Sequence, residues 1–87
     1  MARMLYFHGR VQGVGFRATA AGLARRYGVQ GWVRNLADGR VQLWVQGSEE
    51  SVEQFLSHLR QVMRGYIEGE ESYAVADEAM EGFRIVP

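Results

Sequence analysis

Asp38-Gly39 stands between two runs of alternating apolar residues, and this dipeptide limits the possible folds more than any other feature of the sequence. The stretch "VQGWVRNLADGRVQLWVQG", residues 29–47, is apolar at every second position on both sides of it save at Asn35. An Asp-Gly pair tolerates the positive backbone angles that a tight hairpin turn demands, so the two runs are predicted to pair as antiparallel strands. Their register follows from the faces. A two-residue loop would set Val33 against Trp44 and mix the faces, whereas a three-residue loop, Ala37-Asp38-Gly39, sets Val33 against Leu43. The three-residue loop is therefore predicted, with Gly39 left-handed in a bulge. Val41, Leu43 and Val45 then face the core together with Gly31, Val33 and Asn35. Trp32 lies opposite Trp44 on the other face, read as packing on an exposed sheet surface, not as a base-stacking platform.

The flanking segments complete the order of elements. Residues 3–8, "RMLYFH", read as a buried strand with Leu5 and Phe7 on one face, ended by Gly9. Phe16, Ala20, Leu23, Ala24 and Tyr27 recur with helical spacing, and Gly28 supplies a stop. Ser48 caps a second helix with Glu49 and Glu50 in its first turn and a stripe of Val52, Phe55, Leu56, Leu59 and Val62, ending near Gly65. Beyond it the chain is acidic and weakly patterned. A strand is expected around Tyr73 to Ala76 and a last short one over Phe83 to Val86. The predicted fold class is α+β: a ferredoxin-like split βαβ (βαββαβ) sandwich. It has an antiparallel-dominated sheet, two helices on one face and a short extra C-terminal strand.

At 87 residues and 47% hydrophobic, the chain predicts a single domain over 1–87. It has no cysteine, which removes disulfides and thiolate metal sites and makes the cytoplasm the expected location. The N-terminus lacks a long apolar signal region, and no stretch approaches the roughly 20 apolar residues that span a bilayer. Net charge is zero, which argues against general nucleic-acid binding. The charges are nonetheless segregated: residues 1–40 hold seven arginines against one acid, and the remainder three against nine. Such a split can give one face an attraction for a small anion.

The loop "GRVQGVGFR", Gly9 to Arg17, joins the first strand to the first helix and combines three glycines with an arginine near each end. Glycine lets backbone N–H groups converge, and a guanidinium offers a planar fork of donors, so an oxyanion is the natural ligand. A tight turn with an exposed arginine reads the same residues. The string "GVGFRA" satisfies a dinucleotide-binding pattern, but the chain is too short for a doubly wound sheet and a hairpin follows the helix where a parallel strand is required. A P-loop fails because the sequence contains no lysine. His8 and His58 lie far apart with no ligand spacing around them, so no metal site is predicted; His8 reads as a sheet-surface residue.

Together, "GRVQGVGFR" (Gly9 to Arg17) and "GWVRNLADGRV" (Gly31 to Val41) resemble the signature of the acylphosphatase family, and "GFRI" (Gly82 to Ile85) resembles its closing strand. The resemblance implies a small ferredoxin-like enzyme without cofactor or metal that hydrolyses small acyl phosphates to a carboxylate and inorganic phosphate. It implies that Arg17 binds the phosphate, that Asn35 positions the attacking water, and that the loop amides of Val11, Gln12, Gly13, Val14, Gly15 and Phe16 cradle the phosphoryl group. A cytoplasmic monomer with a small-molecule partner, and neither nucleic acid nor membrane, is the accompanying expectation. The alternative is a catalytically inactive phosphate- or partner-binding module of the same fold. Residues 63–81 depart from the family pattern, lacking a proline after the second helix and a clear valine-rich strand, which leaves the register of the fourth strand open.

Overall fold

The computed structural model describes all 87 residues and orders them as β1 (Ala2–Gly9), α1 (Phe16–Tyr27), β2 (Gln30–Asn35), β3 (Val41–Gln46), α2 (Glu49–Val62), β4 (Ile67–Val75) and β5 (Phe83–Ile85). The strands form one sheet in the order β4-β1-β3-β2-β5. All neighbours are antiparallel except β2 and β5, which run parallel. The hairpin takes the predicted register: Val33 pairs with Leu43, Trp32 with Trp44 and Asn35 with Val41. Leu36 N–H donates to the Arg40 carbonyl at 2.8 Å across the three-residue loop, and Gly39 has φ of 95°.

Both helices pack on the face that carries Leu5, Phe7, Val33, Val41, Leu43 and Val45, and they share one buried cluster with it. From α1 the cluster takes Phe16, Ala20 and Ala24, and from α2 Val52, Phe55, Leu56 and Leu59, close to the stripes that the spacing predicts. The end of α2 differs. Val62 is exposed and Met63 is buried in its place, because the helix stops at Val62 and the chain turns, swinging Met63 back under the sheet. Ser48 caps α2 as expected, its Oγ accepting from Ser51 N–H at 3.1 Å, and Gly28 ends α1 in the left-handed conformation.

Two further expectations change. The fourth strand is not Tyr73 to Ala76 but the longer Ile67–Val75, with Leu5 opposite Ser72 and Phe7 opposite Glu70. Ile67 packs at the margin of the core, but beyond the register shift the helix-side positions are Glu70, Ser72 and Ala74, so no apolar alternation marks the strand. It is an edge strand held by its ladder to β1 and by polar links such as Arg60 Nε to Glu70 at 2.6 Å. The second change concerns Trp44, which is 2% exposed rather than lying on an open surface. To reach β5, residues 76–82 pass from one sheet edge to the other. They are pinned on the helix-free face by Gln46, whose amide donates to the Glu78 carbonyl at 2.6 Å and accepts from Glu78 N–H at 2.9 Å. Beside this crossover, Trp32 carries the Arg34 guanidinium 5.5 Å from its ring centre.

Candidate active site

The loop between β1 and α1 is anchored by its apolar residues and shaped by its glycines. Val11 and Phe16 are buried, and Phe16 packs on Phe7 with ring centres 5.0 Å apart. Between these anchors Gly13 and Gly15 turn the backbone through φ values of 77° and 80°, a region that side chains with a Cβ rarely enter. Gly15 is also the N-cap of α1. It offers no capping side chain, and the first turn holds no acidic residue, so the amides at the helix start keep their donors for an acceptor from outside.

The loop and the helix start border a cavity of about 240 Å³ lined by Val11, Gly13, Gly15, Phe16, Arg17, Ala18, Asn35 and Ile85. Arg17 projects from the first turn of α1, is exposed, and takes no part in any ion pair. Asn35 ends β2 on the helix-facing side, and its Oδ1 is buried without a hydrogen-bond partner. A buried acceptor without a partner costs about 1–3 kcal/mol, so this atom calls for a donor from solvent or ligand in the cavity that Asn35 lines. The lining thus combines one cation, backbone of the glycine loop and helix start, and one free acceptor, with no carboxylate, histidine or cysteine. Nowhere does the molecule gather three or more side chains of the metal-ligating types. Such a site suits a small dianion and a water molecule donating to Asn35.

Arg17, Asn35, Val11, Gly13, Gly15 and Phe16 are therefore brought to one cavity, while two of the predicted cradle residues are not part of its lining. Val14 packs at the margin of the core. Gln12 turns its side chain the other way: its Nε2 donates to the carbonyls of Leu36 at 2.8 Å and Arg40 at 3.0 Å, bridging the loop to the base of the hairpin turn. Arg10, the loop's other arginine, is also outside the lining; its backbone N–H bonds Tyr66. Ala18 and Ile85 line the cavity without having been singled out from the sequence. Ile85 arrives because β5 docks parallel to β2, with Ile85 beside Val33. Its signal lay in "GFRI", yet only the pairing of that strand with β2 gives it a place at the site.

Fold and site together define a ferredoxin-like α+β protein with an anion-sized cavity where the β1–α1 loop meets the end of β2. The family model described as Acylphosphatase matches residues 3–85, and the chain belongs to the acylphosphatase family. It is 44% identical over 84 residues to an acylphosphatase from a Synechococcus species, covering 95% of this chain and 89% of that protein. With an acylphosphatase from Thermococcus kodakarensis it shares 42% over 88 residues, covering 94% and 91%. The crystal structure of acylphosphatase from Bacillus subtilis superposes with a TM-score of 0.89 at 27% identity, covering 99% of this chain and 98% of that one.

Proposed function

We propose that the protein hydrolyses the carboxyl–phosphate bond of small acyl phosphates, with Arg17 and the loop amides holding the phosphoryl group and Asn35 orienting the water. The observation that carries this reading is the convergence, on one small cavity, of an unpaired guanidinium and a buried Asn35 Oδ1 with no partner. A water that donates one hydrogen to Oδ1 keeps a lone pair for phosphorus. Its oxygen forms the new P–O bond as the bond between phosphorus and the acyl oxygen breaks. The acyl group departs as a carboxylate, and the water's second proton passes to a phosphate oxygen. Because a carboxylate leaves readily, the protein has only to place the reactants and neutralise charge that spreads over the equatorial oxygens. No strong base is needed, in keeping with a lining that has none.

The same reading makes the reaction independent of metal, since no metal-ligating side chain lines the cavity. It carries with it the expectation of a cytoplasmic monomer acting on a small molecule; no helix of the chain is long and apolar enough to cross a membrane. The test is phosphate release from benzoyl phosphate and acetyl phosphate by the purified chain in excess EDTA. Full activity there is the expected result. Activity lost with chelator and restored by zinc or magnesium would overturn the mechanism, and phosphate binding without turnover would favour the inactive module.

A further inference from the structure

We propose that Gln12 is a positioning residue whose side-chain amide sets the spacing between the phosphate cradle and Asn35, and that it acts on turnover rather than on phosphate affinity; this rests on the acyl phosphate hydrolysis proposed above. Three observations carry it. First, the Gln12 backbone belongs to the cradle loop, while its Nε2 spends both hydrogens on the hairpin, at 2.8 Å on the Leu36 carbonyl and 3.0 Å on the Arg40 carbonyl. Leu36 directly follows Asn35, and Arg40 directly precedes its cross-strand partner Val41. The amide thus grips the base of the hairpin turn one residue from the water-orienting side chain, on both sides of the turn at once.

Second, neither carbonyl needs Gln12 for its own satisfaction. The Leu36 carbonyl already accepts from Gly39 N–H at 3.1 Å, and the Arg40 carbonyl from Leu36 N–H at 2.8 Å. Removing the amide therefore leaves no orphaned backbone acceptor, and the cost to folding is small. Third, Asn35 Oδ1 has no protein partner to fix the amide from its own side. Its location relative to the cradle is set by the backbone that carries it, and Gln12 is the side chain that ties that backbone to the loop. Attack on phosphorus is sensitive to misplacement: an error of about 1 Å between reacting groups costs on the order of 10²-fold in rate. Phosphate binding depends on the loop amides and Arg17, which stay together at the start of α1 whether or not the tether holds.

The experiment is a double-mutant cycle read with benzoyl phosphate. Gln12→Met, similar in length and without donors, is expected to lower kcat roughly 10- to 100-fold, with KM and the inhibition constant for inorganic phosphate held within about twofold. Introduced into Asn35→Ala, the same substitution is expected to change kcat by less than about threefold, because the group it positions is gone. Gln12→Leu repeats the comparison should the methionine variant fail to fold. The Asn35 side-chain amide resonances of isotope-labelled protein are expected to shift or broaden in the Gln12 variant, a readout available even if Asn35→Ala turns over too slowly to measure. An unchanged kcat, an equal fold loss in both backgrounds, a phosphate inhibition constant that rises as kcat falls, or unmoved Asn35 resonances would each overturn the proposal. A wild-type chain that releases no phosphate from either acyl phosphate would instead overturn the hydrolysis reading, a different and separable outcome.

Discussion

Arg17 and Asn35 meet at one cavity yet differ in what each can do there, and the difference is open to measurement. On the proposed reading Arg17 brings donors and charge to the phosphate, so its removal is expected to strike phosphate binding itself. Arg17→Gln is expected to weaken inorganic phosphate as a competitive inhibitor and to lower turnover severely. Arg17→Lys is expected to fail as well, since an ammonium on a flexible stem does not reproduce a planar two-pronged fork; near-native kinetics in that variant would reduce the role of Arg17 to attraction alone. Asn35 offers an acceptor for one water. Asn35→Ala is expected to lower kcat by roughly 10²- to 10³-fold while KM and phosphate inhibition stay nearly constant. Because Oδ1 is buried and unpaired, the variant should melt no lower than wild type. Asn35→Asp adds a charge beside bound phosphate, so KM should rise as kcat falls. A destabilised Asn35→Ala with normal turnover per folded molecule would show the residue to be structural.

The hairpin is the element on which sequence and structure agree best, and β4 the one on which they agree least. The reasons are physical. In β2 and β3 one face is buried under two helices, so the alternation of Val33, Leu43 and Val45 against Arg34, Gln42 and Gln46 records the register directly. In β4 the side chains facing the helices are Glu70, Ser72 and Ala74, and backbone pairing with β1 does the work that leaves no trace in side-chain pattern. Arg17 and Asn35 were legible because they lie in two dense local motifs; the outward turn of Gln12 and the arrival of Ile85 depend on contacts between distant segments. The hairpin loop has a feature of its own. Arg40 donates its backbone N–H to Asp38 Oδ1 at 3.0 Å and its Nε to Oδ2 at 2.8 Å, holding the Asp38 carboxyl below its ordinary value of 3.8. A carboxyl lowered on folding stabilises above its unfolded value and loses that contribution as pH falls through the folded one. Wild type should therefore melt above Asp38→Asn at pH values above that ordinary one, and the gap should close as acidification carries the pH below it and through the lowered one. A gap that persists there would mean that the hydrogen-bonding shape of residue 38, not its charge, holds the turn.

At the scale of the whole molecule, the two ends of the sheet have separate tasks, and the parallel pairing of β5 with β2 is what divides them. Asn35 closes β2 at the end where the cradle loop lies, whereas Gln30 opens it at the other. A strand parallel to β2 has to enter at the Gln30 end, so the crossover of residues 76–82 is fastened there, far from the cavity, by the paired bonds of Gln46 to Glu78. Gln46 is 8% exposed and its amide bonds Gln30 as well, which makes it a buried polar group with several partners. Gln46→Ala removes the bonds that hold Glu78, an exposed residue whose freed N–H and carbonyl can turn to water, and should cost about 0.5–1.5 kcal/mol for each bond lost. For a chain of this size each kcal/mol corresponds to a fall of roughly 4–8 °C in Tm. Turnover per folded molecule well below the transition should be unchanged, because β5 keeps its own ladder to β2 and delivers Ile85 to the cavity along it. Gln46→Ala and Asn35→Ala thus form opposite cases, one losing stability with its chemistry intact and the other losing chemistry with its stability intact. Thermal melting and benzoyl phosphate turnover on the same preparations decide the matter: a Gln46→Ala protein whose kcat falls in step with its Tm would mean that the crossover, and not the β2–β5 ladder, holds the acyl phosphate site in shape.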